Sequence, residues 1–237
     1  MDHRPQHEGG MTGAARWAGV VAALLLWPAT ASTGAVVSAV IALPLEITRS
    51  ADTTAASCTL IARDDQPGVV NLYFITAARL FVAPADDRAQ PVSSVVIDAP
   101  RRHLVVGPDD VTLPTGTLLD LALLRVTVAT SDLVPLTLAF TPPVPGQPFT
   151  ISGVATNGAT VDIVEHVRFT STLFAVGDRD ASRLVGCIGS AAVGPAGTFG
   201  IVTSCEPLKA PIVTLIGAAR GFLERHVRSM RTGRITS

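Results

Sequence analysis

Hydrolytic, redox and metal chemistry each need particular side chains brought together, and this sequence supplies few of them. It has five histidines and three cysteines. His3 and His7 stand at the start of the chain, while His103, His166 and His226 lie apart from one another with no serine or cysteine motif beside them. An imidazole acts as general base only with a nucleophile inside hydrogen-bond reach. The three histidines therefore read as surface or packing residues. Cys58, Cys187 and Cys205 do not combine with histidine at zinc-site spacing, so no metal and no cofactor is expected. The run Cys187-Ile188-Gly189-Ser190-Ala191-Ala192 places a hydroxyl beside a turn-forming glycine, which is either a functional loop or simply a tight turn.

A β-rich framework must position these residues. The chain has 237 residues, 16 % charged and 48 % hydrophobic, a balance that excludes disorder. A net charge of -1 with 5 % aromatic residues excludes the basic, stacking surface of a nucleic-acid binder. Seventeen prolines and twenty glycines punctuate short Val, Leu and Thr-rich runs, the pattern of an all-β chain. Strands are expected at 36–47, 58–62, 69–76, 92–97, 104–107, 121–128, 134–140, 149–154, 161–174, 188–193 and 198–204. Ile212, Leu215, Ile216, Ala219, Phe222, Leu223 and Val227 share one face at helical spacing and predict a closing helix. A basic flexible tail is expected over 229–237.

At the other end, Arg16 precedes an apolar run from Ala18 to Trp27, then Pro28 and Ala29-Thr30-Ala31. That order of charge, apolar core and small residues predicts a signal peptide over 1–31, cleaved after Ala31, and hence a secreted, periplasmic or extracellular protein. A second apolar stretch from Gly34 to Leu45 leaves open an uncleaved anchor, the one route by which a membrane becomes a partner.

Three segments resemble, in order, the chymotrypsin/trypsin-like serine protease family. Ser57-Cys58-Thr59-Leu60-Ile61 followed by Phe74-Ile75-Thr76-Ala77-Ala78-Arg79 is similar to the family's Gly-Thr-Leu-Ile strand and its Leu-Thr-Ala-Ala-His. Asp120-Leu121-Ala122-Leu123-Leu124-Arg125-Val126 resembles the strand carrying the triad aspartate. Cys187 to Ala192 and then Gly200-Ile201-Val202-Thr203-Ser204 match Cys-x-Gly-Asp-Ser-Gly and the strand after it. The resemblance spans most of residues 50 to 228. It implies two six-stranded antiparallel Greek-key barrels with one C-terminal helix, the domain running over 32–228.

The departures from the family pattern bear on the chemistry. Arg79 stands at the base position, and a guanidinium stays protonated at any working pH. Ala191 stands at the nucleophile position and has no oxygen to attack a carbonyl. Asp120 alone of the triad remains, and a buried structural pair with Arg79 is expected. Gly189 and Ala191 are the expected donors of an oxyanion-hole-like turn. The resemblance also implies a Cys187–Cys205 disulfide and leaves Cys58 as a buried free thiol. Three readings stay open at this point, the third an alternative to the second. One is a pseudoprotease that binds an unidentified protein or peptide ligand; the second is an endopeptidase that uses Ser190 one residue earlier, and the third a surface-anchored structural β-domain if the leader is retained.

Overall fold

A computed structural model describes residues 43–49, 53–82, 92–115, 118–154, 160–178, 186–206 and 209–231. The expected leader and cleavage site lie outside the described residues. Two β-structures follow one another along the chain. The first contains β1 (Leu43–Arg49), β2 (Thr53–Gln66), β3 (Val69–Thr76), β4 (Val92–Ala99), β5 (Arg102–Val106), β6 (Val111–Thr112) and β7 (Ala122–Val128). The second contains β8 (Pro148–Val154), β9 (Thr160–Thr170), β10 (Phe174–Gly177), β11 (Ala191–Gly194), β12 (Gly197–Ser204) and β13 (Ile212–Leu215). Helix α1 (Ile216–His226) and a single turn, α2 (Arg228–Arg231), close the chain.

The second set forms a closed six-stranded barrel in the order β10-β13-β12-β11-β8-β9. The first is a half-barrel in the order β5-β4-β1-β2-β3-β7-β6. It counts seven strands where six were expected, because Val111–Thr112 adds a two-residue strand beside β7. Strand pairing within both is antiparallel.

The nearly continuous apolar runs of β3 and β7 follow from a sheet covered on both faces. Successive side chains of a strand point to opposite faces. Leu72 and Phe74 of β3, with Leu124 and Val126 of β7, enter the core of the half-barrel. Tyr73, Ile75 and Leu123 face the other way, into a layer completed by Ile216, Ala219, Phe222, Leu223 and Val227 of the C-terminal segment. That layer also holds Leu138 and the second barrel's Ile201. The second barrel has its own interior, built around Phe149, Ile151, Phe199 and Val213.

Four sequence expectations change for local reasons. Residues 134–140 do not form a strand. They are an extended crossing in which Leu136 donates to the Leu60 carbonyl at 3.0 Å, Ala139 donates to that of Thr198 at 2.8 Å and Thr198 N–H donates to that of Thr137 at 2.8 Å, so the segment bonds to both β-structures, to the second through an isolated bridge and not a ladder. The expected strand over 161–174 breaks into β9 and β10 at a turn where the Ser171 hydroxyl accepts from the N–H groups of Leu173 and Phe174. Ile212–Leu215 begins no helix but is the strand that joins β10 to β12 and closes the barrel. The chain stays ordered past Val227, since Met230 of α2 is buried against the helix layer.

Candidate functional site

Arg79 and Asp120 meet because the strands that carry them are partners. β3 pairs with β7 from Val70 opposite Val128 to Thr76 opposite Ala122, so the chain leaving Thr76 and the chain entering Ala122 emerge side by side. Arg79 then sits on a one-turn 3-10 helix, Ala78–Leu80. Its backbone N–H donates to Oδ1 of Asp120 at 2.8 Å, and its Nε donates to Oδ2. Both carboxylate oxygens thus receive hydrogen bonds from one residue. The pair is not the buried one expected from the sequence: the Arg79 side chain is 49 % exposed and that of Asp120 20 %. Water reaches the guanidinium, and such a pair adds about 1 kcal/mol or less to stability.

The small-residue run forms a tight turn. Ser190 N–H donates to the Cys187 carbonyl at 3.1 Å, with Gly189 at φ +94° in the third position, where a type II turn needs glycine. Both β-structures hold this turn. Ser57 donates its N–H to the Ile188 carbonyl at 2.8 Å and its hydroxyl to that of Gly186 at 2.6 Å. Thr76 Oγ1 donates to the Ser57 carbonyl at 2.7 Å. From the other side, Gly189 donates to the Val202 carbonyl at 2.8 Å, and Val202 N–H donates to that of Ser190 at 2.9 Å.

This bonding corrects three expectations. The Gly189 N–H is spent on Val202, so it cannot be an oxyanion donor. Ala191 is fully buried as the first residue of β11, opposite Ile201. Ser190 is fully buried as well, and its hydroxyl has no hydrogen-bond partner among the described residues. The residue placed between the two β-structures is Ile188. It packs against the core holding Ala77 and Leu80, which flank the Arg79 turn, and against the core of the second barrel. Sequence reasoning missed it because an isoleucine in a turn carries no chemical signal.

Cys187 and Cys205 form a disulfide with 6.4 Å between Cα atoms and a sequence separation of 18. A bridge closing a loop of that length contributes about 3 kcal/mol in the chain-entropy account. Cys58 is free and buried, and burial pushes its thiol far up from the ordinary range. Beside Cys205, Glu206 is held below the usual carboxylate range by the hydrogen bond and charge of Lys209, with a smaller effect from Arg79. The histidines are elsewhere: His103 pairs with Asp98, His166 stands 3.7 Å from Asp178, and His226 lies 5.0 Å from the Phe222 ring. Among the described residues no group of three or more His, Cys, Asp or Glu side chains gathers to hold a metal.

No family model matches the chain, and no curated protein matches it. Solved structures do. A serine endoprotease from Yersinia pestis superposes with a TM-score of 0.57 at 18 % identity, over 83 % of this chain and 65 % of that one. The fold is trypsin-like. The Rv3671c protease of M. tuberculosis in its active form matches at TM-score 0.57 and 15 % identity, over 77 % of this chain and 78 % of that one. Kallikrein-related peptidase 10 matches at 0.56 and 14 %, over 78 % and 95 %. The chain thus spans less than two thirds of the Yersinia protease, yet nearly all of the kallikrein. In this trypsin-like fold the Gly186–Ser190 turn is tied through Ser57 and Thr76 to the end of the strand that leads into Arg79.

Proposed function

We propose that this protein is a secreted trypsin-like pseudoprotease, a domain that binds a protein or peptide ligand and does not hydrolyse it. The observation that carries the reading is the bonding of Arg79 to Asp120 at the place where the resemblance puts a histidine base. A general base must accept a proton, and a guanidinium, protonated at any working pH and here donating its Nε–H to Asp120, has no free lone pair to accept one. The buried Ser190 and Ala191 supply no accessible oxygen, and losing base and nucleophile together leaves only residual binding effects on rate. An extracytoplasmic location is supported by the Cys187–Cys205 bridge and by the leader pattern ending at Ala31.

A fluorophosphonate probe tests the chemistry. The purified protein is expected to stay unlabelled while a trypsin control reacts. Labelling that maps to Ser190 would replace this reading with that of an endopeptidase. N-terminal sequencing tests the location: the mature chain is expected to begin at Ser32, and a membrane-bound product retaining Trp17 would instead indicate an anchored domain.

A further inference from the structure

The half-barrel holds a cleft of about 460 Å³, bordered at one side by Gly186 of the junction turn. Its walls follow from strand register. Leu45 and Ile47 of β1 and Val95 and Ile97 of β4 point into the core, so the residues between them, Glu46 and Val96, take the opposite face. Glu46 is the register partner of Val96 on one side and of Ala55 in β2 on the other. Its carboxylate therefore stands between two aliphatic side chains, and Pro44 extends the apolar wall. Asp98 and His103, paired with each other across β4 and β5, close the polar end.

The charges in this cleft are not balanced. His103 partners Asp98. Glu46 makes no hydrogen bond and no ion pair among the described residues, and no lysine or arginine is among the described residues lining the cleft. An unpaired carboxylate between apolar walls attracts a cation whose body can cover those walls. The volume falls in the range of about 300 to 1,000 Å³ typical of small-molecule sites. A protein partner would instead need a contact of about 1,000 Å² or more.

We propose that this cleft binds a small organic cation, a primary ammonium or guanidinium on an apolar body, with the charged head on Glu46 and the body against Ala55, Val96 and Pro44. The site is independent of the pseudoprotease reading, since none of its residues belongs to the Arg79–Asp120 pair.

Isothermal titration with phenethylammonium, and with 2-phenylethanol as its uncharged counterpart, tests the site. Saturable one-to-one binding of the cation is expected, weakened about tenfold or more by Glu46→Gln, a loss equivalent to about 1.4 kcal/mol. The alcohol should bind at least as weakly to the unmodified protein as the cation does to that variant. Val96→Lys sets an internal ammonium beside Glu46 and should abolish cation binding, while Glu224→Gln on α1 should leave it unchanged. Thermal melts of the variants confirm folding, since both cleft positions face solvent. Equal binding of cation and alcohol, indifference to Glu46→Gln, or no saturable binding at millimolar concentration would each overturn the proposal.

Discussion

At the scale of single residues, Arg79 on the proposed reading fills a base position without supplying a base. A histidine there would leave its second nitrogen free for a nucleophile, whereas Arg79 gives a backbone N–H and a side-chain N–H to the same carboxylate. Cys58 illustrates the converse, a nucleophilic atom made inert. Its side chain is wholly buried in the half-barrel core, and since the thiolate is the reactive form, a raised thiol pKa suppresses reaction. Iodoacetamide at pH 8 is therefore expected to leave Cys58 unmodified in the folded protein and to label it fully in denaturant. Mass spectrometry of the two samples reads the difference, and rapid labelling of the native state would contradict the burial.

At the scale of elements, the Gly186–Ser190 turn depends on the absence of a side chain at Gly189. A Cβ there would fall 1.7 Å from the Ser57 carbonyl oxygen and 2.3 Å from Thr76 Oγ1, and the φ of +94° adds strain for any L side chain. The nearest of these atoms is backbone in β2 and cannot swing aside. Gly189→Ala is expected to cost about 3 kcal/mol or more, seen as a lower denaturant midpoint with an unchanged slope. A midpoint like that of the unmodified protein would mean the turn is not held against β2. The glycine itself was legible in the sequence as a turn former, as were β3, β8 and β12, because alternating or continuous apolar runs bounded by turn residues leave a local mark. The start of α1 was not legible. Ile212 and Leu215 fit the helical spacing of the residues after them, and their use as a barrel-closing strand is decided by partners in β10 and β12, which lie distant in sequence. Residues 134–140 misled for a related reason: an extended chain that touches each β-structure at a single residue, Leu60 in one and Thr198 in the other, has the composition of a strand without a strand's neighbours. The site was legible in its pairing and misread in its register. Asp120 and Arg79 were expected as partners and do meet, whereas the bonding of the Gly189 N–H to Val202 and the burial of Ala191 are not encoded in spacing.

At the scale of the whole molecule, the C-terminal segment binds the two β-structures through one apolar layer. Leu223 is fully buried in it, beside residues of the half-barrel, the crossing segment and the second barrel. Gly217 lets the helix approach the crossing closely, where an added Cβ would lie 2.4 Å from the Phe140 carbonyl oxygen. Leu223→Ala is expected to cost about 2 to 5 kcal/mol and to lower a single cooperative transition, which calorimetry would resolve from two separate ones. On the proposed reading, a trypsin-like architecture is kept without protease chemistry. The most direct measurement is hydrolysis of labelled casein by the purified mature protein, alongside Arg79→His combined with Ala191→Ser. Both are expected to remain at the buffer rate, the first for lack of base and nucleophile, the second because a hydroxyl at the fully buried position 191 is out of reach of a substrate. Robust hydrolysis by the unmodified protein, abolished by Ser190→Ala, would contradict the account.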